Sequence, residues 1–317
     1  MDEIDFEQRR PNNKTFVSKE TLERADAHYA GGLTRWRKHH ATALKRHRTE
    51  RKFFDIAAAQ LFETYESGNK DALRCLDKLA GCTQSSRCCQ IFCPSCRGLR
   101  QDKAASDLVC EFQGVVESEI KFMTLLIGVE QDAAILPQRI AEVRRCLRNA
   151  MHNNKASLAA ANDTLSIIGA FECDLKNLAT QADASRRTQE LVKSLGFDPK
   201  HKPSQYLLHL HAVVGRLDEA RQEALKTIIG KALGGLLPYQ LDLRSLYADK
   251  TRDENLTALG HYMYKARLQF SDNIFDDNWM QKRAKYHTPY KGKELVEYLN
   301  VIDEMQNFKG LKFECQL

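Results

Sequence analysis

The chain predicts a mixed α/β or α+β fold built on a central sheet. Three observations carry that reading. Three short apolar runs rich in β-branched residues, KFMTLLIGVE (121–130), LSIIGAFECDL (165–175) and YLLHLHAVVG (206–215), have the length and composition of buried strands. Segments of helical period separate them, and neither an internal repeat nor a low-complexity tract breaks the order.

Each element has its own warrant. Residues 1–75 read as helical and polar, with apolar clusters such as FFDIAAAQLF (53–62) able to bury one helix face. Pro137 suits the first turn of a helix running to about Ala150, in which Ile140, Val143, Leu147, Ala150 and Met151 recur at helical spacing. SRRTQELVKSL (185–195) and LDEARQEALKTIIG (217–230) read as two more helices. Leu256, Leu259, Met263 and Ala266 put one apolar stripe on a last helix across 254–270. The domain organisation expected is a helical basic region (1–75), a Cys-rich element (76–110), a core domain (111–275) and a C-terminal extension (276–317).

Composition narrows the function. A chain of 317 residues is long enough for about two domains, and 43% hydrophobic with 28% charged residues is the balance of a folded globular protein. A formal charge of +6 permits a polyanionic partner. No apolar run approaches the roughly 18 residues that cross a bilayer, and the acidic start MDEIDFEQRR lacks a signal-peptide layout, so the expected location is the cytoplasm with no membrane partner. In a reducing compartment clustered cysteines read first as metal ligands, and five of the ten fall between 82 and 96.

In AGCTQSSRCCQIFCPSCRG the spacing Cys82-x5-Cys88-x4-Cys93-Pro-Ser-Cys96 suits a structural Zn²⁺, because a C-x-x-C turn aims two thiolates at one ion and a second pair folds back over it. Cys89 is an alternative to Cys88. TRWRKHHATALKRHRTERK (34–52) carries eight Lys/Arg and three His against a single Glu, either a solvated helix face or a phosphate-binding stripe. Its DNA-binding candidates are Arg35, Arg37, Lys38, Lys45, Arg46 and Arg48, with Trp36 available to stack on a base or to pack.

YLLHLHAVVG plants two histidines one residue apart. Strand alternation puts His209 and His211 on one face with Leu207 and Val213, where neutral imidazoles suit a divalent cation. Glu172 is the candidate third ligand, on the same side of its strand as Asp174. In GHYMYKARL, Tyr262 and Lys265 are neighbours on one helix face, with Tyr264 displaced around the cylinder. A phenol becomes a plausible nucleophile beside an ammonium or a metal that activates a phosphate. Together these are parts for phosphodiester transesterification.

The ordered set resembles the HUH endonucleases, specifically the replication initiators of rolling-circle plasmids. Cys88, Cys93, Pro94, Cys96, Arg97 and Arg100 are similar to the family's zinc-like C-x4-C-P-x-C element with its basic residues, and FMTLLIG to its first apolar strand motif. GAFECD resembles its glutamate-bearing strand, HLHAVV its His-hydrophobic-His strand, and Tyr262-Met-Tyr-Lys265 its Tyr-x-x-Lys motif. The likeness covers roughly residues 75–270.

That resemblance implies an α+β fold with a central antiparallel sheet and flanking helices. It implies Mg²⁺ or Mn²⁺ held by His209, His211 and Glu172 against origin DNA, with Tyr262 as nucleophile, Lys265 stabilising developing charge and Arg97 and Arg100 at the DNA. Tyr264 is the alternative nucleophile. The partners implied are single-stranded and duplex origin DNA with a host helicase and polymerase. Two positions depart from the family: Ala258 stands four residues before Tyr262 where a glutamate is common, so that either Tyr264 or another acid such as Glu254 would substitute at termination or termination works differently, and Ile91 stands where arginine is common. The rival readings are an HUH-type transposase using both tyrosines and a noncatalytic zinc-containing DNA-binding protein.

Overall fold

The computed structural model describes residues 19–29, 31–39, 48–83, 85–91, 93–158, 164–177, 186–198, 200, 202, 204–264, 269–270, 274–275, 281–282, 288–289, 292–305 and 308–317. The chain divides into two compact units, Met1–Cys88 with Lys291–Val296, and Cys89–Tyr290 with Glu297–Leu317.

The first unit is helical: α1 (Lys19–His28), α2 (Gly32–His39), α3 (Arg48–Glu66) and α4 (Lys70–Ala80). Helix α4 shows the local logic. The Asn69 side chain caps it by accepting from the amides of Asp71 and Ala72, and Ala72, Cys75, Leu76 and Leu79 form its buried stripe. Against that stripe the unit buries Leu33, Trp36, Leu61 and Phe62.

The second unit is α+β. Its main sheet has, among the described residues, five strands in the order β4-β1-β3-β2-β5, where β1 is Lys121–Glu130, β2 Ser166–Asn177, β3 Ser204–Gly215, β4 Leu241–Ser245 and β5 Lys312–Gln316. Every neighbouring pair is antiparallel. Its α-helices of eight residues or more among the described residues are α5 (Pro94–Glu111), α6 (Leu136–Asn153), α7 (Arg186–Ser194), α8 (Glu219–Ala232) and α9 (Arg252–Met263), and α10 (Gly292–Glu304), whose residues up to Val296 belong to the first unit, precedes β5. On one face α9 packs against β2 and β3 with α5 beside it. On the other, α6 lays the guanidinium groups of Arg144 and Arg148 over the rings of Phe171 and Phe313, at 5.5 and 5.9 Å, and packs on α8. With helices on both faces β3 is buried along its whole length, which is why its sequence reads as a continuous apolar run rather than as alternation.

The three expected strands are present, and three elements were not anticipated. Strand β5 comes from the segment expected to be an extension: Phe313 and Cys315 point into the core while Lys312, Glu314 and Gln316 do not, a period-two pattern in KFECQ. Strand β4 is short and half-exposed, as befits an edge. Within the Cys-rich element Pro94 opens α5, an 18-residue helix that runs to Glu111. The last helix is shorter than its apolar stripe implied. It stops at Met263, where Tyr264 leaves helical geometry (φ −112°, ψ 28°).

Helices α5 and α9 approach closely at Gly260, where an added Cβ would lie 2.5 Å from both N and Cα of Ala105. Gly260→Ala is therefore expected to destabilise the fold by about 1–3 kcal/mol through overpacking against backbone. A thermal melt followed by circular dichroism should show a midpoint lower by several degrees.

Candidate metal centre and nucleophile

Register builds the centre. In β2–β3 pairing Glu172 lies directly across from His209, and in β1–β3 pairing Thr124 lies across from His211. The three side chains therefore emerge on one face of the sheet at adjacent positions. Glu172 Oε2 is 3.0 Å from His209 Nε2 and 3.1 Å from His211 Nε2, and all three residues are at most 6% exposed. The His211 ring is fixed from behind, with Nδ1 3.2 Å from Thr124 Oγ1.

The set fits a divalent cation. One oxygen and two ring nitrogens converge within 4.8 Å of one another. Ligands at right angles on an ion at about 2.1 Å would themselves stand about 3 Å apart, which matches both nitrogen–oxygen separations. His209 Nδ1 is buried and has no hydrogen-bond partner among the described residues, so the polarity of this face is not consumed by the surrounding core. Asp174, one position further along the same face and 3% exposed, is instead ion-paired with Lys176 at 3.1 Å.

Helix α9 brings a phenol to this centre. The Tyr262 ring lies 4.9 Å from the His211 ring, edge-on at 74°, and 5.7 Å from that of Phe122 at 88°. It is 36% exposed, so it borders both the centre and solvent. Two contacts set the helix in place. Asn255, 2% exposed, binds the preceding loop through the backbone of Tyr247, Lys250 and Thr251, and Gln101 of α5 donates to the His261 carbonyl at 2.8 Å. Neither contact was legible in the sequence.

Tyr264 goes elsewhere. It is 4% exposed, accepts a hydrogen bond from Arg100 Nη2 at 3.4 Å, and has that guanidinium 5.1 Å from its ring. Burial pushes its phenol pKa up, outweighing the downward pull of Arg100. Lys265 lies outside the described residues.

Glu254, the acid expected as a substitute at termination, is bound into a capping box with Thr251 at the start of α9. Hydrogen bonds from the Thr251 backbone and hydroxyl hold its carboxyl below the usual range. Eight residues of helix put it about 12 Å along the axis from Tyr262. Ala258, one turn before Tyr262, is exposed.

The cysteines form a second group. The Sγ atoms of Cys82, Cys88, Cys93 and Cys96 lie within 4.8 Å of one another, and this set can hold a metal ion. Cys93 is the N-cap of α5 and Cys96 lies in its first turn, so the dipole of an 18-residue helix favours both thiolates. Cys89 is exposed and sits at φ 54°, and the sulfur grouped with those of Cys82, Cys93 and Cys96 is that of Cys88.

The expected DNA-binding residues divide. Trp36 is 1% exposed and packs in the first unit, so its ring is not available to a base, and Arg37 is ion-paired with Asp55 at 2.7 Å. Arg97 is 5% exposed and donates to the Ile91 carbonyl at 3.1 Å, a structural role, while Arg100 serves Tyr264. Arg35 and Lys38 are exposed on α2. Lys45, Arg46 and the Arg48 side chain lie outside the described residues. No protein-family model, curated protein or solved structure matches this chain.

Two outcomes follow from these geometries. A depressed carboxyl pKa stabilises the fold above the ordinary value near 4.3 and loses that contribution as pH falls through the depressed one. Acid titration of the thermal midpoint should therefore fall more steeply for the native protein than for Glu254→Gln, which keeps the acceptor but cannot titrate. Elemental analysis should find about one equivalent of zinc per chain, lost in Cys96→Ser and kept in Cys89→Ser.

Proposed function

We propose that this protein is a metal-dependent DNA nicking-joining enzyme that initiates rolling-circle replication. The observation that carries the reading is the convergence of Glu172, His209 and His211, drawn from two strands, beside the half-exposed phenol of Tyr262 from a distant helix. Glu172, His209 and His211 would hold Mg²⁺ or Mn²⁺, which would supply Lewis-acid neutralisation of charge at the scissile phosphate.

The chain's own residues do the rest. The rings of His211 and Phe122 hold the Tyr262 phenol edge-on at the border of the centre, so a single strand laid across that border meets the hydroxyl without a large side-chain rearrangement. Tyr262 Oη forms a bond to phosphorus as the bond from phosphorus to the 3′ oxygen breaks, and the phenolic proton ends on the departing 3′ oxygen. The products are a 5′-phosphotyrosine and a free 3′ hydroxyl for a host polymerase, working behind a host helicase. One phosphodiester replaces another, so a returning 3′ hydroxyl can reverse the step without ATP. With Glu254 committed to a cap and Ala258 in the turn before the nucleophile, this reverse attack is the way the adduct is resolved.

A transposase using two tyrosines is disfavoured by the burial of Tyr264 and its bond to Arg100. A noncatalytic zinc-containing DNA-binding protein would leave the second metal set and its adjoining phenol without a role. Duplex origin contacts fall to exposed basic residues such as Arg35 and Lys38.

Incubation with Mn²⁺ and single-stranded candidate origin DNA, resolved by denaturing gel and peptide mass spectrometry, tests the reading. A covalent adduct is expected on Tyr262. Tyr262→Phe should reduce adduct formation by about a thousandfold or more while DNA binding persists, and Tyr264→Phe should still react. An adduct mapped to Tyr264, or none with the intact protein, overturns it.

A further inference from the structure

The proposed ligands and nucleophile come from β2, β3 and α9, yet the side chains that restrain two of them come from β1. We infer that Thr124 and Phe122 are positioning residues of the centre: Thr124 orients the His211 ring toward Glu172, and Phe122 sets the Tyr262 phenol against that ring. The inference rests on the nicking reading above.

Thr124 is the cross-strand partner of His211, and its Oγ1 lies 3.2 Å from Nδ1. For Nε2 to present a lone pair to a cation the ring proton must sit on Nδ1, and that proton needs an acceptor. The threonine hydroxyl supplies it. As a β-branched residue on a strand, Thr124 has few χ1 choices, so the hydroxyl is held in place before any ligand arrives. His209 differs: its Nε2 faces the same carboxylate oxygen, but its Nδ1 has no hydrogen-bond partner among the described residues. The two imidazoles are thus held unequally, and the better-held ring is the one against the nucleophile.

Phe122 stacks on His211, with centroids 5.6 Å apart and planes 14° apart, and meets Tyr262 edge-on at 5.7 Å. Its partner in β3 is Val213, so Phe122 and Thr124 flank His211 from two successive positions on one face. On the next strand Asp242 and Arg244 share that face and bind each other, Arg244 Nε donating to Asp242 Oδ2 at 2.5 Å. A ring in contact with both His211 and Tyr262 couples the metal ligand to the nucleophile, so removing it should misplace the phenol without touching a ligand atom.

Mn²⁺ affinity of the full chain, measured without DNA from the electron paramagnetic resonance of free Mn²⁺, separates the two roles. Thr124→Val should bind Mn²⁺ about 10- to 100-fold more weakly, and Thr124→Ser should bind nearly as the native protein does. Phe122→Leu should keep native Mn²⁺ affinity but lose about tenfold or more in kcat for adduct formation at saturating Mn²⁺, with KM little changed. If Thr124→Val is destabilised in a thermal melt, the ¹⁵N shifts of its histidine rings provide the second readout, and an unchanged His211 tautomer overturns the role of Thr124. Native Mn²⁺ affinity in Thr124→Val, or native kcat in Phe122→Leu, overturns the corresponding assignment. Protein that binds Mn²⁺ but forms no adduct overturns the nicking reading while the Thr124 result still stands, and protein that binds no Mn²⁺ overturns both.

Discussion

The antiparallel pairing of β3 between β1 and β2 is the constraint on which the rest depends. It sets Glu172 opposite His209 and Thr124 opposite His211, and a slip of one residue would turn every one of these side chains to the other face. Such a slip is prevented by the same strands' apolar residues. Leu208, Leu210 and Ala212 are fully buried on the opposite face of β3, with Phe171 and Cys173 beside them on β2. The register that buries them is the register that assembles the polar centre.

Placing two imidazoles and a carboxylate in that core has an energetic cost, because polar groups removed from water need partners. The structure meets it by clustering. Glu172 faces both histidines, Thr124 faces His211, and Asp174 faces Lys176. The layer above completes the centre. Gly260 lets α9 approach α5 at backbone distance, and Asn255 ties the start of α9 to the loop before it, so Tyr262 arrives at the border of the centre on a rigid element.

Two tyrosines separated by one residue meet opposite fates because the helix ends between them. Tyr262 belongs to α9 and looks toward His211, whereas Tyr264 stands past the last helical residue and is drawn into a buried contact with Arg100. The cysteine group follows a simpler rule. Its four sulfurs come from fifteen residues of sequence, so chain spacing and one helix start are nearly sufficient to bring them together.

Local chemistry was therefore what the sequence determined by itself. The three long strands, the alternation that pairs His209 with His211, the cysteine spacing and the amphipathic helices of the first unit depend on neighbours within a few turns, and periodicity reports them directly. KFECQ carried the same period-two signal but is too short to be distinguished from a tail without a partner strand to pair with. The tertiary structure decided whatever depends on distant packing: that the Cys88 sulfur joins the cysteine group, that Tyr262 stands beside His211 while Tyr264 meets Arg100, the burial of Trp36 and Arg97, and the contact of Thr124 with His211. Exposure and cross-strand partnership are properties of the folded sheet, and no window of sequence contains both members of a pair separated by 87 residues.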